Sequence, residues 1–309
     1  MSYASLMVAV DDGLNAPARV RLAAELAHRL GARLVGAAAC LPDYPQGYGE
    51  MAVPMGMVIE EIRQAALDRL ARVEQIFRQA SCLNDRIEWR SELAGPVPFL
   101  EGQSRAADLV VVGRYAVDEG GTPGMRIDVG DALMGTGRPV LMVLPGVEHL
   151  AARRVVIGWK NTLQTRRAVS DALPLLRRAE AVQVLRIADD EDRSEVEDVV
   201  RYLALHDVNA NASQTKASGW TVADNLRAAA GEFDADLIVT GAYGYSRLRE
   251  WFFGGVTRDM LAKASVCCLM SRCPKLDFAQ FRRRSRRCLR GGRRCVSVFS
   301  TCRSGPEIS

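Results

Sequence analysis

Several features are scarce or absent in this sequence, and each absence narrows the class of protein. No run of about 18 apolar residues occurs, so the sequence predicts no transmembrane helix. The first residues, MSYASLMVAVDDG, contain neither a basic segment nor a long apolar one, so we expect no secretory signal and a cytoplasmic protein. Aromatic residues make up 6% of the chain, and there are three histidines. None of these histidines pairs with an obvious Ser or Cys nucleophile, which argues against a triad-type enzyme.

Cysteine and positive charge are concentrated near one end of the chain. Six of the eight cysteines lie at or after Cys267, whereas a disulfide framework would be spread through the fold. They lack the C-x2-C pairs and the histidines of a zinc module. From Arg272 onward there are eleven Lys and Arg residues and two acidic ones, while the preceding residues contain 30 basic and 35 acidic ones. We therefore expect residues 273–309 to be a basic, Cys- and Arg-rich tail that is disordered or non-native.

An internal repeat organises the remaining sequence. The segment ADLVVVGRY (107–115) recurs as ADLIVTGAY (235–243), and LMVAVDDG (6–13) corresponds to RVVIGWKN (154–161). The two matching segments lie farther apart along the chain in the first copy, and the segment 41–61, rich in Pro, Gly and Met, accounts for the difference. We interpret that segment as an insertion that forms a loop leading into a helix. The repeat predicts two domains, residues 1–147 and residues 153–272.

Both copies alternate short apolar segments with amphipathic ones. Buried strands separated by amphipathic helices indicate an α/β fold, in which a parallel sheet is covered by helices on both faces and the crossovers are right-handed. In the second copy, SEVE (194–197) has the spacing of a capping box. This spacing predicts a helix that Ser194 opens as its N-cap.

The glycines that follow the fourth strand of the second copy have an unusual spacing. Gly241, Gly244 and Gly254 form a G-x2-G-x9-G pattern, and Gly255 follows directly. The pattern lies between the strand ADLIVTG and the segment VTRDMLAKA, which predicts a helix. Ligands of open parallel sheets bind beyond the carboxyl ends of the strands, and free N–H groups at a helix N-terminus favour phosphate. The spacing therefore predicts a nucleotide site.

This glycine pattern, the closing strand SVCCLM and a first strand that ends in VDDG resemble the universal stress protein family over residues 3–271. The resemblance implies two Rossmann-like (HUP) domains, each an open parallel five-stranded sheet of order 3-2-1-4-5 with helices on both faces. It implies pairing through the fifth strands, either within one chain as a pseudo-dimer or between chains as a homodimer. It also implies a stress-response regulatory or binding module with no enzymatic chemistry beyond slow ATP hydrolysis.

The resemblance places ATP, accompanied by Mg²⁺, in the second domain. Ile187 would pack on adenine, and the backbone amides of residues 254–256 would hold the phosphates. The implied nucleotide-binding residues are Thr240, Gly241, Gly244, Gly254, Gly255, Val256 and Ile187. Two residues depart from the family pattern: Lys160 stands where the family has an aspartate, and Gly255 stands where it usually has Ser or Thr. The alternative is therefore a protein-interaction scaffold that binds no nucleotide.

The first domain departs from the pattern in the opposite way. Asp11 stands at the aspartate position, but the segment GRYAVDEGGTPGMRIDVGDAL (113–133) lacks the glycine spacing. We therefore expect this domain not to bind ATP. The acid pairs Asp11–Asp12 and Asp189–Asp190 have the ligand type for Mg²⁺, although loop carboxylates are usually solvated. The tail segment FRRRSRRCLRGGRR (281–294) is a candidate for salt-dependent nucleic-acid binding.

Overall fold

The computed structural model describes residues 2–44, 55–82, 84–115, 120–216, 219–242 and 255–272. Strands and helices alternate throughout these ranges, as the hydrophobic pattern predicts. The amino-terminal half contains β1 (Ser5–Ala9), α1 (Ala16–Leu30), β2 (Arg33–Ala39), α2 (Met55–Ala80), β3 (Ile87–Glu92), α3 (Pro96–Gln103), β4 (Leu109–Gly113), α4 (Val129–Gly135) and β5 (Val140–Val143).

The carboxyl-terminal half repeats this order of elements. It contains β6 (Arg154–Trp159), α5 (Leu163–Leu176), β7 (Ala181–Ile187), α6 (Ser194–Ala204), β8 (Ala210–Thr215), α7 (Val222–Glu232), β9 (Leu237–Gly241), α8 (Gly255–Lys263) and β10 (Cys267–Ser271). None of the helices in the described ranges is both long and apolar enough to cross a membrane.

The strands form one sheet of ten with the order β3-β2-β1-β4-β5-β10-β9-β6-β7-β8. Each half has the predicted parallel order 3-2-1-4-5. The two five-stranded sheets are not separate, however, because β5 and β10 pair antiparallel at the centre, where Leu141 lies opposite Leu269. We call this β5–β10 junction the seam. Residues Met1–Cys273 form one compact unit, in which the two predicted domains share a single sheet.

Helices cover both faces of the sheet, and each face has its own apolar core. One core packs α1, α2, α5 and α6 against the sheet, with side chains such as Leu26, Phe77 and Ala172 buried. The other packs α3, α4, α7 and α8, with Leu133 and Met260 buried. Residues of the inner strands alternate between the two cores, so both faces of these strands are buried, which explains their nearly continuous apolar runs. The edge strands β3 and β8 are only partly buried.

The starts of α6 and α2 test two predictions made from local sequence. The helix predicted at SEVE is confirmed, since α6 begins at Ser194, but the predicted capping box is wrong: Arg193 is the N-cap, and its side chain makes no capping hydrogen bond. The Asp192 carboxylate instead accepts a hydrogen bond from the Ser194 backbone N–H at 2.9 Å, which supplies an acceptor ahead of the position that the spacing predicts. The inserted segment does lead into a helix, since α2 begins at Met55, but residues 45–54 lie outside the described ranges.

Candidate functional site

A cavity of about 650 Å³ opens at the carboxyl ends of β6, β7 and β9. Strand β6 lies between β7 and β9, and the chain leaves β6 toward β7 on one side and comes back to β9 on the other. This reversal is the topological switch point at which open parallel sheets bind ligands. The volume lies in the range of small-molecule sites.

Apolar side chains form the wall of this cavity near β7. Ile187 ends β7 and is half-buried, so its side chain presents a surface to the cavity. Leu226 of α7 is buried and contributes to the same wall. The apolar lining residues are Trp159, Leu185, Ile187, Ala188, Val222 and Leu226.

Polar groups from the start of α5 line another side of the cavity. Thr162 is the N-cap of this helix, and its hydroxyl accepts a hydrogen bond from the Thr165 backbone N–H at 3.2 Å. Gln164 and Thr165 are buried and also line the cavity. Sequence analysis missed these residues, although a threonine directly before the helix is itself a recognisable N-cap signal.

Strand β9 enters the cavity through Thr240, which is buried, and Gly241. A Cβ atom on Gly241 would lie 2.6 Å from the Thr165 backbone nitrogen and 2.8 Å from the Gln164 carbonyl carbon. The end of β9 therefore approaches the start of α5 too closely for any side chain. Packing alone accounts for the glycine at this position, so the glycine by itself does not indicate a ligand.

The start of α8 forms the remaining edge. The helix begins at Gly255 and includes Val256, and the buried side chain of Thr257 lines the cavity. The first backbone N–H groups of a helix have no partner within the helix, and the helix dipole favours an anion near them. Of the predicted nucleotide-binding residues, Thr240, Gly241 and Ile187 line this cavity. Gly244 and Gly254 lie outside the described residues.

The charged groups at the cavity rim differ in whether a protein partner already engages them. Arg186 binds Asp190 through two hydrogen bonds of 2.5 and 2.9 Å, and this contact holds the pKa of Asp190 below its ordinary value. Glu195 accepts a hydrogen bond from the Asn161 side-chain amide at 3.1 Å. Lys160 is exposed at the rim. In the described part of the chain its ammonium group forms no ion pair with a carboxylate, so Lys160 is available to an anionic ligand.

The equivalent strand ends in the amino-terminal half are filled by a buried ion pair. Arg19 and Asp11 are each 2% exposed, and their side chains are 2.5 Å apart. Arg19 also donates to the Ala9 carbonyl at 2.9 Å, and the Tyr115 hydroxyl donates to Asp11 at 2.8 Å. Burial, reinforced by the negative charge of Asp11, raises the pKa of Tyr115, so the phenol stays neutral and keeps donating. We call Asp11, Arg19 and Tyr115 the buried triad.

A loop covers the buried triad from outside. The Thr122 backbone N–H and hydroxyl donate to Asp12 at 2.7 and 2.6 Å. Met125 is 1% exposed, and the carbonyl of the adjacent Gly124 accepts from the Leu41 backbone N–H at 2.9 Å. Residues 122–125, in the segment that lacks the glycine spacing, are therefore folded back onto the ends of β1 and β2.

The acid pairs considered for Mg²⁺ are engaged in other contacts. Asp11 pairs with Arg19, Asp12 accepts from Thr122, and Asp190 pairs with Arg186. Across the described ranges, no group of three or more His, Cys, Asp and Glu side chains is arranged to hold a metal ion.

Comparison with known proteins agrees with this architecture. A universal stress protein from Archaeoglobus fulgidus DSM 4304 superposes with a TM-score of 0.61 at 14% identity, covering 88% of this chain and 97% of that one. A functionally unknown protein from Pseudomonas aeruginosa PAO1 superposes with a TM-score of 0.51 at 12% identity, covering 92% of this chain and 98% of that one. At these identities the likeness shows the fold. No curated protein matched the chain.

The model of the Universal stress protein family matches residues 151–272, which span the carboxyl-terminal half of the sheet and all of the described cavity. Residues 151–272 are therefore similar to a universal stress protein domain.

Proposed function

We propose that this chain is a tandem universal stress protein whose carboxyl-terminal domain binds ATP and acts as a stress-response regulatory module rather than as a catalyst. The observation that carries the proposal is the cavity at the switch point of β6, β7 and β9, which is lined by apolar side chains of β7 and α7 and by polar groups of α5, β9 and α8. A nucleotide presents the same two kinds of surface, since its base has flat apolar faces and its phosphates are anionic.

The lining residues fit such a ligand. Ile187 and Leu226 would contact the base. The first N–H groups of α8, at Gly255 and Val256, together with the Lys160 ammonium, would hold the phosphates. Any accompanying Mg²⁺ would be bound by the phosphate oxygens, because Mg²⁺ takes oxygen ligands and these protein groups are donors. Lys160 cannot accept a hydrogen bond, so we assign it to the phosphates and not to the base.

The proposal of a tandem rests on the amino-terminal half. Its strands have the same order as those of residues 151–272, and the segment at 107–115 recurs at 235–243. We assign this half to the same family as a copy that binds no nucleotide, because the buried triad occupies its strand ends. The seam joins the two copies as a pseudo-dimer within one chain.

Calorimetric titration of the full chain with ATP tests the nucleotide site. We expect about one ATP per chain for the unmodified protein and no measurable binding for Ile187→Asp, because that change places a carboxylate against the base. Leu205→Asp is the matched control, since Leu205 is 84% exposed and does not line the cavity. Absence of ATP binding by the unmodified protein, or equal binding by Ile187→Asp, would refute the nucleotide site.

A protein-interaction scaffold is the second candidate, and one feature favours it. A groove of about 400 Å³ runs between α5 and α6 and is lined by Trp159, Val169, Val199 and Tyr202 among others. The aromatic side chain of Tyr202 is 40% exposed there. Aromatic residues in exposed grooves are frequent anchors of protein partners. The scaffold becomes the preferred function if calorimetry detects no nucleotide.

Nucleic-acid binding through the basic tail makes a separate prediction. The full chain would bind single- or double-stranded nucleic acid with an affinity that falls steeply as salt rises. The same protein cut to residues 1–272 would lose that binding. Equal binding by the two forms, or none by either, removes this alternative.

A further inference from the structure

Hydrogen bonds outside the β5–β10 strand pair connect the amino-terminal half to a helix of the candidate site. Arg114 directly follows β4 and is half-buried. Its guanidinium donates to the Ala264 carbonyl at 2.8 Å and to the Ala262 carbonyl at 3.5 Å. These carbonyls belong to the last turn of α8 and the residue just beyond it. Arg114 therefore caps a helix of the other half.

The opposite end of α8 lies at the cavity. Thr257, in its first turn, is buried and lines the cavity, while Lys263 ends the helix. With nine residues, α8 is too short to be stable in isolation, so its position depends on the contacts that it makes. In the described residues these contacts include buried Met260, a 3.4 Å hydrogen bond from Arg227 to the Lys263 carbonyl, and the cap from Arg114.

We infer that Arg114 is a positioning residue of the candidate site, through which the amino-terminal half sets the ligand affinity of the carboxyl-terminal half. The positive charge of Arg114 stabilises the negative end of the α8 dipole and satisfies two terminal carbonyl groups. Holding the helix in place keeps its first N–H groups directed at the cavity. This inference rests on the proposed nucleotide site, which it extends by naming a control point outside the cavity.

Arg272 offers a matched comparison across the same seam. It follows β10 in the carboxyl-terminal half and donates to the Met134 carbonyl of α4 in the amino-terminal half, at 2.7 Å. Both arginines thus cap a helix across the seam, but α4 does not line the cavity. A general weakening of the seam would affect the two variants alike, whereas a positioning role separates them.

The test uses the full chain with Arg114→Met, Arg114→Lys and Arg272→Met, and measures ATP affinity by calorimetry and amide hydrogen exchange in α8 and α4. Because apparent affinity scales with the fraction of molecules in which α8 is docked, we expect Arg114→Met to weaken binding by roughly three- to tenfold. Exchange in α8 should become faster at the same time. Arg114→Lys retains the charge and a hydrogen-bond donor, so its ATP affinity and its exchange rate in α8 should both stay close to those of the unmodified protein.

Arg272→Met should speed exchange in α4 and leave ATP affinity within about twofold of the unmodified protein. Unchanged affinity in Arg114→Met, or an equal loss in Arg272→Met, would overturn the inference. If the unmodified protein binds no ATP, the nucleotide site fails first, and the exchange measurement then decides by itself whether Arg114 positions α8. Unchanged exchange in α8 would overturn that role as well.

Discussion

The two halves of the sheet present the same strand ends in two different states. At the carboxyl ends of β1 and β4, the buried triad fills the space that corresponds to a ligand site, and a loop closed on Asp12 covers it. At the ends of β6 and β9 the corresponding space is a cavity of about 650 Å³. The strand order is the same in both halves. A few side chains, and not the fold, therefore decide whether this edge of a parallel sheet is open.

One pair of equivalent glycines makes the contrast specific. Gly113 ends β4 and Gly241 ends β9, and the two occupy the same position in the repeat. A Cβ on Gly113 would collide with the Arg19 guanidinium, whereas a Cβ on Gly241 would collide with the backbone of α5. At both positions a neighbouring group lies too close for a side chain. In the amino-terminal half that group is the guanidinium of Arg19, which belongs to the buried triad.

The largest expected loss of unfolding free energy comes from removing Arg19 from the buried triad. Arg19→Met leaves the Asp11 carboxylate buried without its cation, and removing one partner of a buried pair costs about 3–5 kcal/mol of unfolding free energy. Urea unfolding of the variant measures this loss.

Arg21→Met is the control for this change, because Arg21 lies on the same helix and its ion pair with Glu148 is exposed. We expect it to cost less than about 1 kcal/mol. The double variant Arg19→Met with Asp11→Asn should regain part of the lost stability, since no charge then stays buried. If Arg19→Met lost no more unfolding free energy than Arg21→Met, the buried triad would not stabilise the fold.

A smaller loss of stability is expected from a substitution at Gly241, where the end of β9 lies against the backbone at the start of α5. Gly241→Ala forces β9 and α5 apart, and overpacking of this kind costs about 1–3 kcal/mol. Gly231→Ala is the control, because Gly231 is within α7 and a Cβ there has no atom within 4 Å. That change should be neutral or stabilising by up to about 1 kcal/mol. Thermal unfolding of both variants distinguishes them, and equal unfolding temperatures would contradict the close approach.

The smallest expected effect concerns the charge at the cavity rim. Lys160→Met should weaken ATP binding by about 1.4- to fivefold, because an exposed ion pair contributes roughly 0.2–1 kcal/mol. The difference from the unmodified protein should shrink as salt is raised, since salt screens exposed charges. Lys216→Met, at an exposed lysine that does not line the cavity, should leave the affinity unchanged. Tighter binding by Lys160→Met would show that the ammonium opposes the ligand.

Much of the fold could be predicted from local patterns. The repeat at 107–115 and 235–243 and the alternation of apolar strands with amphipathic helices predict the α/β class and both helical layers, because burial on both faces requires that periodicity. The prediction of a capping box at Ser194 was wrong for a local reason. The Asp192 carboxylate accepts a hydrogen bond from the Ser194 backbone N–H, and α6 begins at Ser194 without a capping box. Within the candidate site, Thr240, Gly241 and Ile187 were named through the family resemblance. Thr162, Gln164 and Thr165 were missed because they lie at the start of α5, outside the segments that carry the resemblance.

The sequence by itself determined the strand and helix order, the position of the repeat and the segment that matches a universal stress protein domain. Those properties depend on periodicity and spacing, which are local. Only the tertiary structure decided that Arg19 points inward to Asp11, that the fifth strands β5 and β10 pair antiparallel within one chain, and that Arg114 caps α8. Each of these contacts depends on how separate elements pack. An arginine on a helix is compatible with solvent, a carboxylate or a carbonyl, and the packing of the whole sheet selects among them.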